Sequence, residues 1–217
     1  MNNDIETYEK VFEDLDANRI IVKGVLSSIG KPFMQEGVVY RFGYVTTKRK
    51  SGNIDTVRVI LNDEYNNKLA GKIGESVRIH GSVRSAYNTD GHLEVYVFPS
   101  RYIPKEEDRE PECEFSNSIL LSGIVAKVNT RKTQNGIRIT DVLLKVTLSH
   151  ARRLTIPCIF WNDLADIASK FVTGERIEFV GKLQSRDAKI DNVNGSILIN
   201  EVSGFRLRTK KEKEDNV

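Results

Sequence analysis

An internal repeat with a period of about one hundred residues limits the architecture of this 217-residue chain more than any other feature. Polar and glycine residues recur in register, which chance does not maintain over such a length. The pairs separated by 100 positions are Asn62 and Asn162, Asp63 and Asp163, Gly74 and Gly174, Glu75 and Glu175, and Gly81 and Gly181. We therefore expect two copies of one folding unit.

Each copy has the same predicted order of secondary structure. Alternation predicts strands at about 19–28, 38–47 and 55–61, and again at 118–128, 137–148 and 153–161. Asn62 and Asn162 predict helix N-caps, Gly74 and Gly174 predict left-handed helix ends, and two hairpin strands complete each copy. Five strands with a helix after the third is the order of an OB-fold, a Greek-key barrel. We predict an all-β protein of two tandem OB-folds; a single ten-stranded sandwich is the weaker alternative.

The charge is distributed in blocks behind a formal net charge of +3. Residues 19–103 carry 13 basic and 7 acidic side chains, and residues 116–210 carry 15 and 8. Two prolines and six acids at 104–115 are typical of an exposed linker. We predict barrels at 19–103 and 116–208, with an acidic segment at 1–18 and a charged tail at 209–217. Basic bodies suit a polyanionic partner.

Several functional classes are disfavoured by the sequence. It has no run of about 18 apolar residues and begins with the polar MNNDIETYEK, so we expect a cytoplasmic protein without a membrane span. Cys113 and Cys158 with three histidines do not make a disulfide framework or a four-ligand zinc site. The GKIGES run at 71–76 lacks phosphate-loop spacing. We predict no metal, no cofactor and no enzymatic activity.

The second copy resembles bacterial single-stranded DNA-binding proteins. The resemblance lies in ILLSGIV and in CIFWNDLADIASKFVTGERIEFVGKLQSR, where an aromatic ends the third strand and a Leu-Ala helix follows. The first copy matches more weakly, through IIVKGVL, FGYVTTKRK and GESVRIHGSVRS. The primosomal single-OB proteins are close relatives of that family. The resemblance implies binding of single-stranded DNA without sequence preference, with basic residues along a groove and aromatic rings under the bases.

The same resemblance suggests the candidate contacts. Trp161 falls where the family has a stacking aromatic; its alternative role is a core residue that closes the barrel end. Thr155 and Ala188 stand where the family usually has tryptophan, so two platforms are missing. The other candidates are Arg152, Arg153, His150, Lys48, Arg49 and Lys50 in loops, Arg78, His80, Arg84, Lys182 and Arg186 on the fourth strands, and Tyr87 beside a hairpin turn.

The first copy departs further from the family pattern. Leu61 replaces the stacking aromatic, and Val57 and Val59 occupy the positions that we expect to face the ligand. The stripe of Tyr40, Phe42 and Tyr44 aligns with apolar Val142, Leu144 and Val146, so we predict that it belongs to the core. Arg41, on the opposite face, is then the better candidate for contacting the ligand.

Three functions remain open from the sequence. The first is a single-stranded DNA-binding protein for replication, recombination or repair, nucleoid-associated, from a chromosome, phage or mobile element. The second is an RNA-binding or primosomal OB protein. The third is a protein-interaction scaffold without nucleic-acid binding. Because family members work with four OB-folds, the resemblance implies a homodimer, with replication or recombination proteins as further partners.

Overall fold

The computed structural model describes residues 16–49, 51–88, 91–104, 117–148, 152–189 and 196–208. Contacts group the chain into two compact units. Unit 1 comprises residues 1–18, 120–180 and 204–217, and unit 2 comprises residues 19–119 and 181–203. The domain boundaries drawn from the sequence remain a prediction.

The first strand set forms a closed five-stranded barrel in unit 2. Its strands are β1 (Asn18–Ile29), β3 (Val38–Lys48), β4 (Ile54–Leu61), β5 (Ser76–Tyr87) and β6 (Leu93–Pro104). β1 pairs antiparallel with β3 and β5, β3 pairs with β4, and β5 pairs with β6. A parallel bridge between Val59 of β4 and Val97 of β6 closes the ring. This is the predicted OB topology, and the predicted fold class is confirmed.

A short strand that the sequence analysis did not predict is added to this barrel. β2 (Phe33–Gln35) pairs with β3, with Phe33 opposite Tyr40 and Gln35 opposite Val38. Glu36 and Gly37 connect them with φ values of 50° and 78°, the left-handed pair that a type I′ hairpin turn needs. The three-residue strand is too short to produce a readable alternation in the sequence.

The second strand set repeats the order. It consists of β7 (Asn117–Lys132), β8 (Arg138–Thr147), β9 (Arg153–Trp161), β10 (Arg176–Lys189) and β11 (Ser196–Leu207). The strand order is β10-β11-β9-β8-β7, with a further pairing of β10 to β7 that closes the ring. β1 and β7 each carry an irregularity in their pairing, between Leu26 and Ser28 and between Val125 and Lys127.

The helices differ between the copies. α1 (Asp63–Leu69) begins after Asn62, whose Oδ1 accepts a hydrogen bond from the Tyr65 N–H at 3.0 Å, as predicted. α2 (Asp163–Ala168) begins after Asn162, which has a φ of 52° and makes no side-chain cap bond. A 3-10 helix, Ala70–Lys72, continues α1 as far as the C-cap Ile73, so Gly74 follows the helical segment as predicted, whereas α2 ends at Ala168, and the prediction that Gly174 ends it is wrong. Both glycines have positive φ, and each sits in the turn that leads into the next strand.

Inward-facing side chains of each barrel are fully buried. Val45, Val57 and Val97 are each 0% exposed in the first set, as are Leu144 and Ile156 in the second. Burying a side chain of this size contributes about 1.5–3 kcal/mol. The strand alternation therefore fixes which residues remain on the outer faces.

In unit 2, polar side chains cover one edge of β4. The Thr56 N–H donates to Ser185 Oγ at 2.8 Å. Asn200 Oδ1 accepts from the Arg58 N–H at 2.9 Å, and Asn200 Nδ2 donates to the Thr56 carbonyl oxygen at 2.8 Å. The Asn200 amide thus completes the hydrogen bonding of β4 in place of a neighbouring backbone.

Candidate nucleic-acid interface

The aromatic residues of β3 lie on the outside of the first barrel. Tyr40, Phe42 and Tyr44 are half-buried, whereas Gly43 and Val45 between and beside them are buried. The prediction that this aromatic stripe belongs to the core is therefore wrong. That prediction rested on an offset of 102 between the copies in this strand, and an odd error in alignment moves every side chain of a strand to the opposite face.

The correct alignment of this strand follows from two glycines. An added side chain at Gly24 would collide with the Thr46 carbonyl oxygen, and one at Gly123 would collide with the Lys145 carbonyl oxygen. The close approach of β1 to β3 is therefore equivalent to that of β7 to β8. The offset is therefore 99 in the second strand of each barrel. Phe42 then corresponds to Asp141, while the buried Val45 corresponds to the buried Leu144.

Four rings form a connected cluster on the first barrel. The Phe33 and Phe42 rings stack with centroids 4.9 Å apart and planes at 26°. Tyr40 lies 6.1 Å from Phe33, and Tyr96 of β6 meets Phe42 edge-on at 5.8 Å. Phe98 points outward two residues further along β6 and is 42% exposed. These five residues, Phe33, Tyr40, Phe42, Tyr96 and Phe98, are called the aromatic surface below.

Two arginines contact the aromatic surface. The guanidinium carbon of Arg58 is 5.9 Å from the Phe42 ring centroid, and that of Arg84 is 5.2 Å from the Phe98 centroid. Arg84 stands directly opposite Tyr96 in the pairing of β5 with β6, and its Nε donates to Ser82 Oγ at 3.2 Å. Arg84 therefore lies beside the aromatic surface, and its contact with a ligand remains a prediction.

Arg58 was missed because the sequence analysis assigned the wrong face of β4 to the ligand. Val57 and Val59 are both 0% exposed and belong to the core, so the prediction that they face the ligand is wrong. Thr56 and Arg58 alternate with them on the other face, where Thr56 is half-buried and Arg58 is 9% exposed. Arg58 also forms an ion pair with Glu94, whose Oε2 lies 2.8 Å from its Nη1, and donates to the Leu198 carbonyl oxygen.

The basic residues at and after the end of β3 differ in their surroundings: one faces solvent and another is held by hydrogen bonds. Lys48 is exposed, and Lys50 lies outside the described residues. Arg49 donates from Nε to the buried carboxylate of Asp55 at 2.7 Å and from Nη2 to the Ser185 carbonyl oxygen at 3.2 Å. The hydrogen bond to Asp55 raises the pKa of Arg49. Arg49 is therefore engaged in holding the structure of unit 2.

Lys182 lies close enough to Arg49 and Asp55 for both charges to change its pKa. Burial lowers the pKa of Lys182, the neighbouring Arg49 lowers it further, and Asp55 partly offsets both effects. Arg186, further along β10, is exposed and pairs with Glu201 at 2.8 Å.

The remaining candidates of the first barrel are spread over different environments. Tyr87 is 73% exposed at the end of β5, next to the hairpin turn. Arg41 is half-buried and donates from Nη1 to the Gly30 carbonyl oxygen at 3.3 Å. Arg78 is only 3% exposed, whereas its neighbour but one, His80, is half-buried. Arg78 is therefore not at the surface that a nucleic acid would contact.

The second barrel offers a different set of groups. Arg152 and Arg153 are exposed, and His150 lies outside the described residues. Trp161 is half-buried at the end of β9, opposite Ile139 of β8. Its indole nitrogen is enclosed and meets no acceptor among the described residues. Packing of the apolar ring therefore explains the half-buried position of Trp161 better than a hydrogen bond of its indole nitrogen does.

Other chemistry has little support in the described part of the chain. It contains no group of three His, Cys, Asp or Glu side chains that would hold a metal ion. Cys158 is buried, and burial raises its thiol pKa, which leaves it unreactive. Neither described helix exceeds seven residues, and none is able to cross a bilayer.

Comparison with known proteins identifies the fold. No family model matches the sequence, and no curated protein matches it. The chain is similar in structure to the wild-type single-stranded DNA binding protein from Thermus aquaticus, with 17% identity, a TM-score of 0.65, and coverage of 89% of this chain and 93% of that one. A deletion mutant of the same protein gives 19% identity, a TM-score of 0.65 and coverage of 89% and 94%.

Proposed function

We propose that this chain binds single-stranded DNA without sequence preference and acts as a binding protein rather than an enzyme. The observation that carries the proposal is the aromatic surface with Arg58 and Arg84 on the outer face of the first barrel. Oligonucleotides bind OB-folds over the second and third strands and the adjoining loops, which here are β3, β4 and the β2 hairpin.

The chemistry of this surface suits unpaired bases. Every base has a π-face, so stacking on Phe33, Phe42 or Tyr96 does not depend on sequence, and each stacked base contributes about 1–3 kcal/mol. Arginine neutralises phosphates with release of counterions, which is also independent of sequence. Duplex DNA buries its base faces between neighbouring pairs, so the rings favour a single strand.

Each unit offers further groups that would contact a strand. Lys48 ends β3, Arg152 precedes β9 and Arg153 begins it; all three side chains are exposed and would contact phosphates. Arg186 would contribute once it exchanges Glu201 for a phosphate. Tyr87 offers a further ring beside the turn, and Trp161 a secondary contact on the second barrel.

The cellular role that we propose is protection of single strands during replication, recombination or repair, in the nucleoid or on a phage or mobile element. The similar structures are of a protein named as single-stranded DNA binding, and we extend that activity to this chain. We further propose a homodimer with four OB-folds and replication or recombination proteins as partners.

Fluorescence anisotropy with labelled dT oligonucleotides of increasing length tests this function. We expect binding that weakens steeply as salt is raised, because phosphate contacts release counterions. Duplex of equal length should bind much more weakly. Tighter binding of poly-U than of poly-dT would favour the RNA-binding or primosomal function, and absence of binding to either would leave the protein-interaction scaffold.

A further inference from the structure

An acidic side chain lies within the aromatic surface. Glu94 stands on β6 two residues before Tyr96, and the buried Val95 between them places both on the outer face. Its Oε2 lies 2.8 Å from Arg58 Nη1, and its Oε1 accepts a hydrogen bond from Asn88 Nδ2 at 3.2 Å. The Glu94 carboxylate thus forms an ion pair with Arg58, the cation that lies over the Phe42 ring.

This arrangement opposes the binding of a polyanion. The Arg58 side chain is 11% exposed and that of Glu94 is 26% exposed, so the pair is only weakly screened by water. A phosphate that approaches Arg58 meets a cation that is already neutralised and an adjacent negative charge. A surface adapted only for tight binding would gain by replacing this carboxylate with a neutral group.

We propose that Glu94 is a built-in competitor of the DNA phosphate for Arg58, and that it lowers the affinity of the aromatic surface so that bound strands are released. The inference rests on the proposed function. In the protein without DNA, Glu94 supplies the charge that the partly buried Arg58 requires, and in the complex a phosphate takes over that role.

The variant Glu94→Gln tests this inference because it removes the charge and keeps the size of the side chain. Its amide oxygen is still able to accept the hydrogen bond from Asn88. The matched control is Glu64→Gln, which makes the same change of charge on α1, where Glu64 pairs with Lys68 at 2.6 Å on the surface. Both variants and the wild-type chain are titrated with labelled dT oligonucleotides over a series of salt concentrations.

We expect Glu94→Gln to bind at least about fivefold more tightly at low salt, with a slope of log K against log salt that is steeper by about 0.7, the value for one phosphate on a single strand. Glu64→Gln should stay within about twofold of the wild-type chain, since a distant surface charge is screened. Equal affinities and slopes for Glu94→Gln and the wild-type chain would overturn the inference.

Thermal melting gives an independent measurement. Glu94→Gln leaves Arg58 without its carboxylate, so its Tm without DNA should fall, and saturating dT should raise that Tm by more than it raises the wild-type Tm. If Glu94→Gln does not fold, Glu94→Asp lengthens the ion pair and should show a smaller gain in affinity, and the lack of any gain would overturn the inference. Failure of the wild-type chain to bind DNA would instead overturn the proposed function.

Discussion

The outer faces of the two strand sets differ, although the strand order of the two barrels is the same. On β3 Tyr40, Phe42 and Tyr44 lie outward, whereas the equivalent positions of β8 are the buried Ile139 and the half-buried Asp141 and Leu143. Asp141 pairs with Arg131 at 2.6 Å where Phe42 carries a stacked ring. The inward positions, which determine the fold, match between the copies, whereas the outward positions, which we propose to meet a ligand in the first barrel, do not.

This difference explains why the stronger sequence resemblance lies in the barrel with the weaker candidate surface. The residues that carry the resemblance in the second copy are mainly core and helix residues, such as Phe160, Ala165 and Phe179, which are at most 1% exposed. They report how the chain folds. The first copy lacks the Leu-Ala helix signature and carries the aromatic surface.

Removal of the central ring should have the largest effect on binding. Phe42→Ala deletes the ring that contacts both Phe33 and Tyr96, so we expect an affinity for dT lower by about 1–3 kcal/mol, which is about fivefold to 150-fold. The control is Phe205→Ala, which removes an exposed ring on β11 and should change the affinity less than about twofold. Equal losses of affinity in Phe42→Ala and Phe205→Ala, measured by anisotropy, would show that the aromatic surface has no special role in binding.

The two helix starts provide a second contrast, in stability. Asn62→Ala removes a side-chain cap and should lower the free energy of unfolding by about 1 kcal/mol. Asn162→Gly relieves a positive φ and should leave stability unchanged or raise it by up to about 1 kcal/mol. Denaturant titration measures both changes, and a loss of stability in Asn162→Gly would contradict the assignment of backbone strain.

The contribution of Arg84 should be moderate and visible mainly in the salt dependence. Arg84→Gln removes one cation beside Phe98, so the slope of log K against log salt should become shallower by about 0.7. The matched control Arg138→Gln removes a cation of the second barrel that pairs with Asp166 at 2.8 Å, and its slope should not change. An unchanged slope in Arg84→Gln would place the phosphates elsewhere.

Replacement of the single tryptophan should have the smallest effect. Trp161→Phe keeps an apolar ring at a half-buried site whose indole nitrogen has no acceptor among the described residues, so we expect a change in affinity of less than about twofold. Quenching of Trp161 by dT in the wild-type chain serves as the companion measurement. A tenfold loss of affinity together with strong quenching would make the second barrel the principal site.

Much of the fold was predictable because strand alternation and turn residues are local signals. The bounds of β3, predicted at 38–47, are Val38–Lys48, and those of β9, predicted at 153–161, agree with Arg153–Trp161. The alignment of Tyr40, Phe42 and Tyr44 with Val142, Leu144 and Val146 has an offset of 102, whereas the spacing between the copies is 99 in this strand, so the wrong face of β3 was predicted. This misalignment of three residues is odd, and an odd shift exchanges the core and surface faces of a strand.

Contacts distant in sequence limited the prediction of the site. Arg49 was a reasonable phosphate ligand from its loop position, and its pairing with the buried Asp55 depends on the folded loop. The positions of Arg58 and Glu94 on one surface required the arrangement of β4 and β6, which are not neighbours in sequence. Strand alternation places Arg84 on the face opposite the buried Val83, whereas Tyr87 has the same parity as Val83 and is exposed because it lies at the end of β5.

The cover that Ser185 and Asn200 provide for β4 limits how the gene can be divided. A fragment ending at the acidic linker would keep every strand of the first barrel and lose both side chains, which lie more than a hundred residues downstream. Backbone donors and acceptors of Thr56 and Arg58 would then form an open strand edge, the kind of template that recruits other chains. Once the first half of a repeated chain depends on side chains of the second, the first half is no longer expected to fold cleanly alone. A truncated product would be expected to aggregate.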